Sequence, residues 1–320
     1  MLKHLFMPLN NGLATAAVVI LFWGVTFAST RVLLEDFSAL EIQAIRFALA
    51  WFALWLAGRR VKSSFCLWRD EALFAGMGLT GVALYQFLEN CAIYYTNASN
   101  VAILVSFGPV VTAVLAWLLT GDKSLSPRFT LGAMVAVTGV ALVSLNGVVN
   151  FQMRPLGDMM AVGAMVSWGV YSVLIDKANR RGVPQMEAVR RAFFWSLVMI
   201  APLAVWGGTE SGFYALDGSF SVTLDLAENI ERFTRPLNIM NLLFLGVLAS
   251  AACFVMWNRA CKALGVVRTS VGLYLTPIVG VMFAALFLGE ELTAMSAIGG
   301  ALIVAGVVLA TIRFAGKETK

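Results

Sequence analysis

Runs of about 20 mainly apolar residues, separated by short polar breaks, occupy most of the chain. They fall at about 13–34, 38–57, 72–95, 98–119, 128–149, 157–176, 185–206, 239–260, 265–288 and 292–313. Each is long enough to cross a bilayer as a helix, the one open-ended structure that satisfies its own backbone polar groups in lipid. Most breaks have room only for a turn. The exception is 207–238, where Leu224, Leu226, Ile230 and Phe233 hint at a short interfacial helix. The pattern predicts an all-α integral membrane protein with ten transmembrane helices. A cleaved signal peptide is the competing reading of the first run; its length and the lack of an A-x-A site argue against it.

Composition agrees with this reading and charge orients it. Apolar residues make up 60% of the chain and charged residues 13%, against about 25% charged in soluble domains; the mean hydropathy is +0.83. With a cytoplasmic N-terminus, the inside segments carry Lys3, Arg59, Arg60, Lys62, Arg69, Lys123, Arg128, Lys177, Arg180, Arg181, Lys262, Arg313, Lys317 and Lys320. The outside loops carry only Arg154, Arg232 and Arg235. The positive-inside rule therefore puts both termini in the cytoplasm and 207–238 outside, as in a multi-pass protein of a bacterial inner membrane. The net charge of +5 is a topology signal, and no nucleic-acid partner is expected. The cysteines (Cys66, Cys91, Cys253, Cys261) and His4 show no metal-ligand spacing, so neither metal nor cofactor is expected.

The chain also matches itself. At an offset of 145, Ala16, Trp23, Gly24, Val25 and Arg46 fall on Ala161, Trp168, Gly169, Val170 and Arg191. At 168, Asn90, Ala92, Pro109, Val111, Ala116, Leu118, Gly121, Gly132 and Ala133 fall on Asn258, Ala260, Pro277, Val279, Ala284, Leu286, Gly289, Gly300 and Ala301. Apolar matches mean little, but Trp-Gly, Arg, Asn and Pro at constant offsets indicate a repeat. The halves are 1–150 and 151–320, the second with the long loop. Five spans per half make the copies run in opposite directions, the inverted arrangement of many secondary transporters around a central cavity.

The segments NCAIYYTNASNVAILVSFGPVVTAVLAWLLTGDKSLSPRFTLGAMVAVTGVALVS and LGVVRTSVGLYLTPIVGVMFAALFLGEELTAMSAIGGALIVAGVVLATIR resemble EamA-type members of the drug/metabolite transporter superfamily. FWGVTFASTRVLLEDFSALEIQAIRF is similar to that family's first helix pair. The resemblance implies ten helices around a central cavity and export of small metabolites, without naming a molecule. Asp122, where the first half usually shows Glu, and the long outside loop depart from the family pattern.

Charges within spans are costly and point to a cavity or a partner. The deep ones are Arg46, Glu89, Arg190 and Arg191, whereas Arg31 and Arg268 lie nearer helix ends, where they can snorkel. Arg46 lies about 12 Å and Glu89 about 9 Å below the outer face at 1.5 Å per residue. An Arg46–Glu89 ion pair is therefore expected, either as a static bridge or as one that responds to substrate or proton. Glu89 maps onto Trp257, so the second half lacks this acid; Arg190 and Arg191 have Glu187 one turn earlier.

Pro109 and Pro277 are expected to break helices 4 and 9 beside Ser106, Tyr274 and Thr276. Gly121 and Gly289 read as C-terminal caps. Trp23, Tyr85, Trp168, Tyr171, Trp257 and Tyr274, with Asn90 and Asn258, are candidate cavity linings; interfacial belts are the alternative for the aromatic residues. Ala297, Ala301 and Ala305 have the spacing of a helix-packing stripe.

The sequence has no HExxH, GxSxG or P-loop, so neither an enzyme nor an ATP-driven pump is supported. The expected function is a secondary transporter that exports small amphipathic metabolites such as amino acids by alternating access. Its partners are a small-molecule substrate and the bilayer, with proton or counter-solute coupling. A membrane receptor or assembly subunit is the alternative.

Overall fold

The computed structural model describes residues 12–58, 68–96, 98–145, 154–207, 213–214, 221–222, 230–287 and 292–311. They form a helical bundle: α1 (Gly12–Leu33), α2 (Ala39–Gly58), α3 (Trp68–Gly78, a π-helical stretch Leu79–Leu84, then Tyr85–Tyr95) and α4 (Ala98–Val105, resuming at Gly108–Thr120). Next come α5 (Pro127–Leu145), α6 (Pro155–Arg180) and α7 (Gln185–Gly207). The bundle ends with α8 (Pro236–Leu243, a π-helical stretch Phe244–Ala252, then Cys253–Leu264), α9 (Val266–Val271, a 3-10 stretch Gly272–Leu275, then Thr276–Phe287) and α10 (Ala294–Thr311). Among the described residues, nine of these are long and apolar enough to cross a membrane; α7 is the exception. Its first two turns carry Glu187, Arg190 and Arg191, which lowers its apolar character. Large apolar side chains face outward, among them Leu21, Phe52, Leu119, Met159 and Leu286, as a lipid-covered surface requires.

Within the long loop the described residues form a two-residue hairpin, Phe213–Tyr214 with Ser221–Val222, and one 3-10 turn, Ile230–Phe233. The expected interfacial helix is thus reduced to that turn on its described side: Ile230 is exposed and the Phe233 ring meets Phe37 at 5.1 Å. Leu224 and Leu226 lie outside the described residues, as do both termini and Gly289.

Helix contacts follow an exchange rule. Helix α1 packs on α8 and α9, while α6 packs on α3 and α4; α2 packs on α7 and α8, while α7 packs on α2 and α3. The irregular stretches match too. The π-helical segments lie in α3 and α8, and the breaks before Gly108–Pro109 and Thr276–Pro277 lie in α4 and α9. In both restarted helices proline takes a first-turn position, where its missing N–H costs nothing. Gly121 caps α4 at φ 69°, as its spacing predicts.

The most extensive helix pairing, α5 with α10, is a glycine seam. A Cβ on Gly139 would lie 2.5 Å from the Gly299 carbonyl oxygen, and one on Gly306 would lie 2.6 Å from that of Gly132. Backbones this close exclude even a methyl group. The alanine stripe Ala297, Ala301 and Ala305 is exposed, and Gly299, Ile303 and Gly306 turn inward instead. Four-residue spacing identified a stripe on α10 but not the face that packs.

Gly139→Leu should lower stability by about 1–3 kcal/mol or abolish assembly, because the clash is with backbone. Gly108→Ala, with nothing within 4 Å of the added carbon, should change the melting temperature little. Thermal unfolding of both variants in lipid nanodiscs checks the contrast.

Candidate functional site

The centre of the bundle is built where the π-helical stretches meet α1, α2 and α6. Such stretches disturb the regular i→i−4 ladder and turn carbonyls toward outside donors. In lipid those carbonyls need protein partners. The Trp23 Nε1–H donates to the Ala249 carbonyl at 2.9 Å, Ser167 Oγ to that of Thr80 at 2.7 Å, and Gln43 Nε2 to that of Ala83 at 3.1 Å. Each bond ties one helix to the irregular part of another. Gly81 permits the approach of α6: a Cβ there would be 2.3 Å from the Tyr171 ring.

Five of the six aromatic candidates form one cluster. Trp23 meets Trp168 at 5.7 Å and Trp257 at 5.1 Å between ring centroids, and the last two are 6.2 Å apart. Tyr85 and Tyr171 flank Trp168 at 5.1 and 5.2 Å. Phe254, which spacing did not single out, touches Trp23, Trp168 and Tyr171. Asn258 Nδ2 donates to the Tyr171 hydroxyl at 3.0 Å and to the Phe254 carbonyl at 2.7 Å, so this asparagine is a buried tie. Trp168 Nε1 and Trp257 Nε1 have no acceptor among the described residues although both are buried. Tyr274 is buried in the 3-10 stretch of α9, and its hydroxyl has no partner among the described residues. Ser106 donates to the Ile103 carbonyl at 2.6 Å beside the α4 break, a local bond.

Polar groups adjoin the aromatic cluster. Arg46 Nε donates to Ser250 Oγ at 2.5 Å, and its Nη1 reaches Gln86 Oε1 at 3.5 Å. Glu89 accepts from the Tyr85 hydroxyl at 2.9 Å. The expected Arg46–Glu89 ion pair is not formed: each is held by neutral partners instead. The reason is geometric, since Ser250 in the α8 π-stretch and Gln86 one turn before Glu89 claim the guanidinium first. Asn90 is half-buried on the same helix, with no hydrogen-bond partner for its side chain among the described residues. Ser250 and Gln86 are site residues that spacing missed, being common polar residues without a pattern of their own.

Arg191, the repeat mate of Arg46, has different company. It is bound to Glu71 and, through Nε at 2.7 Å, to Glu187, and it lies over the Phe74 ring at 5.1 Å. Glu187 also holds Arg190, Trp195 Nε1 donates to Glu71 at 2.9 Å, and Arg181 pairs with Asp70 at 2.9 Å. This network joins the starts of α3 and α7. A second one joins the starts of α2 and α8. There Ser38 and Glu41 form a capping box, and Glu41 grips Arg232 at 2.7 and 3.1 Å. Arg235 and Asn238 converge on Asp36, the latter at 2.7 Å. The Asn238 hydrogen bond, with the nearby arginines, holds the Asp36 carboxyl below its usual 3.8. Among the described residues no three His, Cys, Asp or Glu side chains converge as a metal site.

A model described as the EamA-like transporter family matches residues 10–145 and again 155–312. The chain is 26% identical over 319 residues, 98% of this chain and 97% of the relative, to a probable terminal-alkyne amino-acid exporter of Streptantibioticus cattleyicolor. It is 26% identical over 296 residues, 92% of each chain, to a probable amino-acid metabolite efflux pump of Escherichia coli. An uncharacterized transporter of Archaeoglobus fulgidus is 27% identical over 303 residues, 93% of this chain and 96% of that one. A crystal structure at 18% identity superposes with a TM-score of 0.74 over 94% of this chain and 96% of its own, which places the fold.

Arg232→Ala leaves Glu41, whose side chain is 4% exposed, buried without its cation, and should cost about 3–5 kcal/mol. Arg235→Ala removes a partner that is 58% exposed and should cost under about 1 kcal/mol. Because the Asp36 value is depressed on folding, its contribution is present above pH 3.8 and is lost as acid takes the pH below it. Melting temperatures of the two variants, and of the wild type from pH 7 to pH 3, test all three statements.

Proposed function

This chain belongs to the EamA-like transporter family, and from that premise we propose that it exports small amphipathic metabolites, amino acids or their relatives, by alternating access. That it is a membrane transporter follows from the family and from full-length relatives named as exporters and efflux pumps. The solute class comes from those names and from the chemistry at the bundle centre. The observation that carries it is the aromatic cluster of Trp23, Tyr85, Trp168, Tyr171 and Trp257 beside half-buried Arg46 and Glu89. Rings suit an apolar side chain, and polar groups that keep accessible surface deep in a bundle suit a water-filled cavity.

The architecture proposed is ten membrane helices in two inverted halves, 1–150 and 151–320, with both termini in the cytoplasm. The exchange of partners between α1 and α6 supports it, as do the paired π-helical stretches, the paired proline restarts and the two matches of the family model. The ion networks at the starts of α2 with α8 and of α7 with α3 then lie at opposite membrane faces. Rocking of one half against the other would open each face in turn. With no nucleotide-binding motif in the sequence to support ATP-driven pumping, the energy source proposed is a proton or counter-solute gradient or the solute's own gradient.

A thermal-shift screen of amino acids and related metabolites on the purified protein, followed by flux into proteoliposomes, tests the proposal. A solute at 100 times its Kd should add about 2.7 kcal/mol of stability, and the solutes that stabilise should also cross. If no solute stabilises the protein and none crosses with it, the transport reading fails and a receptor or subunit role takes its place.

A further inference from the structure

We infer that Arg46 and Glu89 are the two poles of a zwitterion site, Arg46 receiving a solute's carboxylate and Glu89 its ammonium group. The solute's apolar part would lie toward the Tyr85 and Trp168 rings. The inference rests on the transport reading above and names the chemistry of the same site.

Its basis is a contrast among the charges of the bundle. Buried ions are stable when paired and very costly when alone. Elsewhere the buried carboxylates follow that rule by contact: Glu41 with Arg232, Glu187 with Arg190 and Arg191, Asp70 with Arg181. Arg46 and Glu89 do not, although Arg46 bonds to Gln86, one turn from Glu89 on α3. Both are half-buried and keep accessible surface. Arg46 uses Nε on Ser250 and one long bond from Nη1, and Glu89 uses Oε1 on Tyr85. Arg46 Nη2 and Glu89 Oε2 make no hydrogen bond among the described residues. One pole thus offers donors in the fork geometry that suits a carboxylate, and the other offers an acceptor.

Two opposite charges that do not pair with each other select the ligand. In an α-amino acid a single carbon divides carboxylate from ammonium, so the molecule can bridge two opposite charges that do not touch. A zwitterion satisfies both poles and leaves the occupied site without net charge. A solute with one charge satisfies one pole and, by displacing water, leaves the other without a counter-charge. Gln86 and Glu89 stand one turn apart on α3, and Tyr85 joins Glu89 to Trp168. Poles and rings are therefore contiguous.

The test uses the full chain in proteoliposomes with labelled phenylalanine, competed by phenylalaninamide, which lacks the carboxylate, and by 3-phenylpropionate, which lacks the ammonium. Wild type should prefer phenylalanine over either analogue by about tenfold or more, the size expected for one charged hydrogen-bonded contact. Arg46→Gln should erase the preference over phenylalaninamide, and Arg46→Lys should restore part of it. Glu89→Gln should erase the preference over 3-phenylpropionate. Glu89→Gln keeps the shape of the side chain and an acceptor for Tyr85, so it carries the test alone if Arg46→Gln does not assemble. Equal weakening of all three compounds by both variants overturns the inference, as does a wild type that competes equally with all three. If the wild type carries other amphipathic solutes but not phenylalanine, this inference falls and the transport reading stands. If it carries nothing, both fall.

Discussion

Hydrocarbon offers no hydrogen bonds, so every irregular piece of backbone in this bundle has to find a protein partner. The two π-helical stretches are where that demand is greatest. Their carbonyls are met by Trp23, Ser167 and Gln43, which come from α1, α6 and α2. Satisfying the backbone therefore joins helices at the centre rather than at their ends. It draws Trp23 and Trp168 into contact and sets Ser250 against Arg46. The site is a consequence of that joining.

The rest of the bundle divides its labour by location. The glycine seam of α5 and α10 locks one flank by bringing two backbones together. Ion networks clamp the starts of α2 with α8 and of α7 with α3, and there each buried carboxylate touches its cation. Between these regions Arg46 and Glu89 stay apart, held by a hydroxyl, an amide and a phenol. The buried carboxylates Glu41, Asp70 and Glu187 each touch a cation, and the half-buried Glu89 does not.

Helices α3 and α8 carry similar irregular stretches, as do α4 and α9, but the chemistry of the residues matched along the chain differs. Trp23 and Trp168 are mates at the offset of 145 and meet face to edge. Arg46 and Arg191 are also mates, yet one lies among neutral partners and the other between Glu71 and Glu187. Glu89 has Trp257 as its counterpart, and that indole is buried within the aromatic cluster. One acid and one guanidinium, each bonded to neutral partners, thus adjoin the aromatic cluster.

Much of this was legible in the residues themselves. Span positions followed from apolar runs, because a bilayer imposes a fixed length on helices. The breaks at Pro109 and Pro277 followed from a missing N–H, and the Gly121 cap from the absence of a Cβ. These are local constraints, written within a few residues of where they act. What depended on distant partners was not legible. Spacing pointed to Ala297, Ala301 and Ala305 as the seam, but the inward face of α10 carries Gly299 and Gly306. Depth alone implied an Arg46–Glu89 contact; Ser250, more than two hundred residues away, and Gln86 took the guanidinium instead. Length and hydropathy are properties of a chain, so sequence determined the helical bundle. Which charges meet depends on how helices rotate against one another, and only the packed structure decided that.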